Sequence, residues 1–481
     1  MNKKYKKIFF YVGASVLVFA LLSPSFVGTT LKFGTDGTGQ VYFGDTSGLI
    51  KNSNGKAWSA TASNLQSAIW DLNSTGGTIF GGNNNFDLDA QIVIIDKCDV
   101  VLQDFNLTVS SDISGASYYS VFYVKDCFNI TFRNIIIDID KGVQSGELKG
   151  FTLNNTDRSF FELVYINGSS GCAYELTLCD YTTIQDNVIL DCCKAGVDAP
   201  YIRLDGGLTS KKNSNIIIEG NAMTVTSGEA SSAYPPSFVR TYDCDENIRV
   251  TGNRFYGGWI GVHVYGSLYC IVNDNIFRNQ GNYGVTINHQ NINNATWCKI
   301  VNNNFNRTRN ESIRINFGNF TTIMGNTILN CYSNGILLAY SHNCTVNANT
   351  IKNCAFGGTI QKAGIYIGGS SPYGSNNIIF GNTIVEDRGA GGMYWGVYFP
   401  SGSHGCILMN NNVVGSYHTS SISNSGTNNY VTNNLVNEGI HFNFPTTNAT
   451  ANHLAGYAWF ETGTNVLSVY NGTAWVTTTL T

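Results

Sequence analysis

Apolar and polar residues alternate in short runs along this chain, as in Gly261-Val-His-Val-Tyr265, Gly284-Val-Thr-Ile-Asn288 and Ser312-Ile-Arg-Ile-Asn316, and Gly or Asn punctuates them. A period of two sends one set of side chains to a buried face and the other to solvent, so the runs predict strands, with no long helical pattern between them. One asparagine keeps a fixed phase against the apolar positions: an apolar residue, two further residues, then Asn. It recurs at Asn187, Asn221, Asn253, Asn275, Asn303, Asn326, Asn349, Asn382, Asn411 and Asn434, with spacings of 34, 32, 22, 28, 23, 23, 33, 29 and 23 residues. A base period of 22 or 23 with insertions is that of a solenoid, one rung per repeat. Mere abundance of Asn would not fix its phase.

If each repeat is a rung, strands of successive rungs pair in parallel about 4.8 Å apart and equivalent residues stack. A turn Asn suits such a stack because it tolerates the left-handed conformation and its amide can bond the turn and the next rung. Each such bond contributes about 0.5 to 1.5 kcal/mol, whereas an unpaired buried amide costs about 1 to 3 kcal/mol. The expectation is a continuous Asn ladder with Asn itself at the left-handed position.

Over residues 60–445 the chain resembles the right-handed parallel β-helix superfamily of pectate-lyase-like proteins. The Asn ladder beside apolar stacks carries the resemblance, and so does the N-terminal segment. Asn64-Leu-Gln-Ser-Ala-Ile-Trp-Asp-Leu72 reads as an amphipathic helix, followed by Gly76-Gly-Thr-Ile79, Ile92-Val-Ile-Ile95 and Val100-Val-Leu102. The resemblance implies an all-β, single-stranded right-handed parallel β-helix solenoid whose N-terminal capping helix covers the first rung. Such a cap hides strand edge and apolar interior. It does not deliver a function. Polygalacturonase-type enzymes carry Asn-Thr-Asp, a paired Asp-Asp, Gly-His-Gly and Arg-Ile-Lys in order; here Asn155-Thr-Asp157 stands alone, and the Arg-x-Pro-x-Arg run of extracellular pectate lyases is absent. No catalytic residue carries over from either family.

The 481 residues are read as one long coil with small ends, because a solenoid grows along one axis. Residues 1–25 read as a signal peptide or membrane anchor: Lys3, Lys4, Lys6 and Lys7 precede an apolar stretch over residues 8–22 that is short for a membrane span. Either form places the chain outside the cytoplasm, secreted or held at the surface. Residues 26–59 read as a linker or strand pair, and residues 446–481 as a small β-hairpin module, with Ala458-Trp-Phe-Glu461 and Tyr470-Asn-Gly-Thr-Ala-Trp475 resembling short elements at the ends of tail-fibre and surface proteins. Copies of such a fibre-like chain are open to assembly as a homotrimer.

Charged residues make up only 12%, with 28 Lys and Arg against 32 Asp and Glu, which excludes a strongly basic phosphate-binding surface and so argues against nucleic acid. Of the thirteen cysteines, Cys270, Cys298, Cys344 and Cys406 lie five residues before a ladder Asn, and Cys192, Cys331 and Cys354 lie five after one. Shared phase favours inward-facing thiols acting as small apolar fillers over disulfides. Neither Cys-x-x-Cys nor His-Glu-x-x-His occurs, so no metal site is expected.

The alternating strand after each ladder turn sends Ile202 and Leu204, Val262 and Val264, Val285 and Ile287, and Ile313 and Ile315 inward. Its outward partners are Arg203 and Asp205, His263 and Tyr265, Thr286 and Asn288, Arg314 and Asn316, Tyr366, and Tyr398. Phe238-Val-Arg-Thr-Tyr-Asp243 adds Arg240 and Tyr242 with a register ambiguous by one residue. Insertions near residues 192–200, 206–213, 226–237, 289–296, 357–363 and 388–395 would raise walls beside this stripe, making a trough for a polysaccharide or cell-surface glycan. Arg203, Tyr265, Asn288, Asn316, Tyr366 and Tyr398 are the substrate-binding candidates, since Tyr stacks on sugar faces while Arg and Asn bond hydroxyls or uronate carboxylates.

Two chemistries and one non-catalytic role fit. A polysaccharide lyase would abstract the proton beside a uronate carboxylate, with Arg240, His263 and Arg314 as candidates and a cation, Ca²⁺ being the natural one, neutralising the carboxylate. A glycoside hydrolase would need two carboxylates about 5 to 9.5 Å apart, for which Asp205 and Asp243 stand on neighbouring rungs. The alternative is a surface or fibre-like adhesin that binds glycan through the same face. An enzyme predicts that these side chains meet in one hydrogen-bonded network; a scaffold predicts that they stand apart and wet.

Overall fold

The computed structural model of the chain describes residues 49–479 apart from 53–56, 60, 73–75, 114–118, 194–198, 207–211, 227–235, 243–245, 289–295, 357–361, 369–373, 389–391, 437–438, 444–456, 462–465 and 471–474. The leader, most of the linker, Asp243 and the greater part of the proposed trough walls, that at 388–395 excepted, lie outside the described residues. No helix among those described is long and apolar enough to cross a membrane.

The coil is a right-handed parallel β-helix with three faces. The first face is a sheet of thirteen parallel strands running from Ile92–Ile95 to Ser420–Asn424. Each rung then turns into a second-face strand such as Ile217–Glu219, makes a tight turn at Gly220 and Asn221, and runs into a third-face strand such as Ala222–Thr224. Along the ladder successive rungs pair without slippage: Ile218 sits on Val250, Val250 on Val272, and Val272 on Ile300. Inward-facing Phe255, Phe277 and Phe305 stack at 4.9 and 4.6 Å between ring centroids.

The asparagines form one continuous ladder. The backbone N–H and the side-chain Nδ2 of Asn253 both donate to Oδ1 of Asn275, at 2.9 and 3.0 Å, and Nδ2 also donates to the Ile218 carbonyl at 2.9 Å. The backbone link repeats at every step from Asn187 to Asn434. Below Asn187 the position is Val164, whose N–H donates to Asn187 Oδ1, and the ladder stops. One expectation is corrected. Positive φ belongs to the residue before the ladder Asn: Asp186, Gly220, Gly252, Asp274, Asn302, Gly325, Ala348, Gly381, Asn410 and Asn433. The reason is geometric: a left-handed residue turns the corner, and the next residue returns to extended backbone with its amide aimed inward.

The ends are closed differently. Helix Ala62–Trp70 is capped by Thr61 Oγ1, which accepts from the Asn64 N–H at 3.2 Å, and it buries Leu65, Ala68, Ile69 and Leu72 on the first rung. Gln66 completes the cap: its amide accepts from Val93 N–H and donates to Val93 C=O, both at 2.7 Å, which pairs the free edge of the first-face sheet. At the other end Tyr430–Val436 pairs antiparallel with Gly439–Asn443, and the sheet continues through Tyr457–Glu461, Val466–Tyr470 and Trp475–Thr479. This end is a meander of several strands, a larger device than a hairpin.

Twelve of the cysteines are described, all as free thiols, and all but Cys98 are buried. Burial pushes Cys127, Cys192 and Cys406 up to about 11 and Cys172 and Cys344 to about 12. A thiol so placed stays protonated and unreactive near neutral pH.

Two outcomes are expected. Replacing Asn326 by Ala strips the acceptor from Asn303 N–H and Nδ2 and leaves the Ile300 carbonyl short of a donor, at a cost of about 3 kcal/mol or more, whereas exposed Asn304→Ala, one residue beyond a ladder position, costs less than about 0.5 kcal/mol. Urea unfolding of both variants against the parent reads the difference. In alkylation with iodoacetamide at pH 8 followed by mass spectrometry, the eleven buried thiols stay unlabelled until denaturant is added, with Cys98 the first described residue to react.

Candidate functional site

The outer side of the first face carries two vertical columns, because residues two apart on a strand point the same way and parallel pairing repeats them rung by rung. The first column reads Glu175, Arg203, Arg240, His263, Thr286, Arg314, Leu337, Tyr366 and Tyr398. The second reads Thr177, Asp205, Tyr242, Tyr265, Asn288, Asn316, Ala339 and Gly368. The ambiguous strand is thereby placed: Arg240 lies between Arg203 and His263. Inward Ile202, Leu204, Val262, Val264, Ile313 and Ile315 are buried as expected.

Four consecutive rungs bring the polar candidates together. Lys149 Nζ meets Glu175 Oε2; Arg203 lies 3.8 Å from the other Glu175 oxygen and donates to Asp205 at 2.8 Å. Burial works to lower the Arg203 guanidinium, but Glu175 and Asp205 outweigh it and hold the group above its ordinary range. The Arg203 guanidinium also lies over the Tyr242 ring at 5.4 Å. Arg240, only 5% exposed, donates to the Tyr242 hydroxyl at 3.1 Å and lies 5.7 Å from that ring's centroid. Tyr242 and Tyr265 rings are 5.4 Å apart, and His263 meets Tyr265 edge-on at 5.8 Å. His263 Nε2 lies 3.0 Å from Asn288 Nδ2, so it accepts from that amide and the ring proton falls on Nδ1.

The remaining candidates stand apart from this cluster. Arg314 is two rungs from His263, about 9.6 Å along the axis. It donates to the Tyr283 hydroxyl at 2.5 Å, lies over that ring, and faces nearly buried Glu311 at 4.0 Å. Burial raises the Tyr283 phenol despite Arg314 beside it. Glu311 is fixed by Ser333 Oγ and Asn334 Nδ2, at 2.8 and 3.2 Å. Asn316 is on the second column, and its Oδ1 is buried without a hydrogen-bond partner among the described residues. Tyr366 and Tyr398 lie further along, 5.2 Å apart, with Trp395 stacked on Tyr398 at 4.1 Å. The face therefore divides into an ionic half and an aromatic half. Among the described residues no three His, Cys, Asp or Glu side chains gather as metal ligands. The cations that are gathered are Lys149, Arg203 and Arg240.

Sequence reasoning missed Lys149, Glu175, Tyr283 and Glu311. Lys149 and Glu175 lie on rungs before Asn187, where no ladder Asn marks the phase. Tyr283 and Glu311 precede their strands, where the period-two pattern has not begun.

Residues 237–399 match the family model described as right handed beta helix region. No curated protein sequence matches the chain. Among solved structures, the A-module of Azotobacter vinelandii mannuronan C-5 epimerase AlgE6 superposes with a TM-score of 0.50 at 14% identity, over 77% of this chain and 94% of that one. The Streptococcus pneumoniae surface adhesin PfbA gives 0.47 at 13% identity over 87% and 96%. Bacteriophage CBA120 tailspike protein 3 gives 0.42 at 12% identity over 81% and 63%. Identities so low speak to fold alone. With the strand pairing, the ladder and the matched region in agreement, the chain is a right-handed parallel β-helix protein, matched to no specific enzyme family.

Proposed function

We propose that this protein acts on an acidic polysaccharide laid along the outer columns of the first face, abstracting the proton beside a uronate carboxylate so that the C–O bond to the neighbouring sugar breaks by β-elimination, which leaves a C=C double bond on the uronate and a protonated hydroxyl on the departing chain. The observation that carries the reading is Arg240, an almost fully buried cation set in register between Arg203 and His263 and braced by Tyr242. A guanidinium held in place at an outward position of the column is suited to a carboxylate whose charge grows as the neighbouring C–H is broken. His263 and Tyr265, on one strand and in edge contact, are the proton-transfer groups next to it. Arg314, Tyr366 and Tyr398 extend the same stripe as further sugar contacts. A hydrolase is the weaker fit, since Asp205 is spent on Arg203 rather than aimed at a glycosidic bond. The mannuronan C-5 epimerase module is a protein of this coil named for a polysaccharide.

A second reading, binding without cleavage as an adhesin would do, draws on Lys149, Glu175, Arg203 and Asp205 being paired among themselves. The same reading of the sequence places the coil outside the cytoplasm, secreted or anchored through residues 8–22, and open to trimer formation.

The test is incubation with a panel of uronate polymers, following unsaturated ends by ultraviolet absorbance. The parent protein forms product, and His263→Ala or Arg240→Ala lowers kcat/KM about 100-fold or more. Binding of these polymers with no product from any of them supports the adhesin reading. Neither binding nor product overturns both.

A further inference from the structure

The turn leading from the first face to the second places one residue per rung in the left-handed conformation: Tyr181, Asn215, Asn247, Tyr269, Trp297, Phe320, Asn343, Asn376, Gly405 and Asn428. Backbone bonds such as Tyr269 N–H to Thr296 O, Trp297 N–H to Asn319 O and Phe320 N–H to His342 O keep these residues in one register. Asn and Gly are the residues that adopt positive φ readily, and a bulky ring there is strained. Yet three consecutive rungs carry Tyr269 at φ 53°, Trp297 at 61° and Phe320 at 53°, and their side chains are 45%, 50% and 41% exposed. Trp297 and Phe320 stack at 4.5 Å between centroids and 8° between planes. At the start of the same turns Phe317 and Tyr340, also left-handed, stack at 4.5 Å and 9°. The coil therefore accepts strain to hold aromatic rings in water, where burial returns little of it.

We propose that this ridge is a second carbohydrate site, for the uncharged face of a pyranose. The chemistry of its surroundings selects that ligand. No Asp, Glu, Lys or Arg occurs in residues 266–270, 296–298, 317–321 or 340–344, and the charge next to the ridge is a single cation, Lys299, two residues beyond Trp297 on the second face. The aromatic column is followed on either side by Asn247 and Asn343 at the same turn position, each a shorter side chain that carries an amide. A sugar presents an apolar C–H face ringed by hydroxyls, which matches a ring face beside an amide. From Tyr269 to Tyr340 the ridge covers four rungs, three spacings or about 14 Å, and is one turn wide, well short of the roughly 800 Å² per partner that a stable protein contact buries. It also adjoins the first face, since Phe317 follows Asn316 and Tyr340 follows Ala339 of the second column. The ridge and the ionic cluster use different side chains, so either can fail alone.

The variants Trp297→Asn and Phe320→Asn test the site without threatening the fold, because Asn is what this turn carries on the rungs at 215, 247, 343, 376 and 428. Native affinity electrophoresis is run through gels containing an uncharged soluble glucan, mannan, xylan or galactan. The expected result is that at least one of these retards the parent protein, that added salt leaves the retardation intact because the glycan carries no charge, and that W297N/F320N abolishes it while matching or exceeding the parent in thermal midpoint. Arg240→Ala keeps the retardation. Free migration of the parent in all four gels overturns the proposal, as does equal retardation of W297N/F320N. Concentration-dependent self-association of the parent that the double variant loses would instead make the ridge a contact between copies.

Discussion

A buried amide that must be satisfied by its own counterpart one rung away is the constraint on which this molecule depends. From Asn253 onward each ladder Asn offers an oxygen to the N–H and Nδ2 of the Asn before it and donates to a strand carbonyl, so the group is paired only if the rungs stay in register. A slip of one residue would strand the amide and turn the apolar set outward at once. The insertions that vary the spacing from 22 to 34 residues leave the ladder untouched, because they fall in connections between faces. Tight pairing at one corner thus permits wide variation at the others.

The site follows from the same constraint. Outward positions on the first face are stacked because the inward ones are, and this turns residues scattered over more than two hundred positions into two columns. Where neighbours in a column are Glu175, Arg203 and Arg240, charge is brought to the spacing of hydrogen-bonded strands, and side chains pair across rungs as well as along them. Further along, Tyr366, Tyr398 and Trp395 turn the same columns aromatic. Polarity along the axis gives a long ligand a direction as well as a binding surface.

Much of this was legible in the order of residues. A buried polar residue that must repeat announces its own phase, and every outward residue named from that phase between Arg203 and Tyr398 lies on the expected face. The left-handed turn residue was legible too, since nine of the ten positions before the ladder Asn are Gly, Asp or Asn, yet the ladder residue itself drew the assignment. What the text could not supply was the register of rungs lacking a marker. Val164 stands where an Asn would be, and with it Lys149 and Glu175 drop out of phase. Contacts that run from a turn back to a strand, such as Tyr283 with Arg314, have no period at all and wait for three dimensions.

In-register stacking is tested most directly by oxidative cross-linking of cysteine pairs on the second face. Lys299 pairs with Thr322 and Thr322 with Thr345, so the first two backbones lie one rung apart, about 4.8 Å, and Lys299 and Thr345 two rungs, about 9.6 Å. A disulfide spans Cα separations of about 4.4 to 6.8 Å. The account predicts that K299C/T322C closes on mild oxidation in the folded protein and that K299C/T345C does not. Closure of the second pair in preference to the first would contradict it.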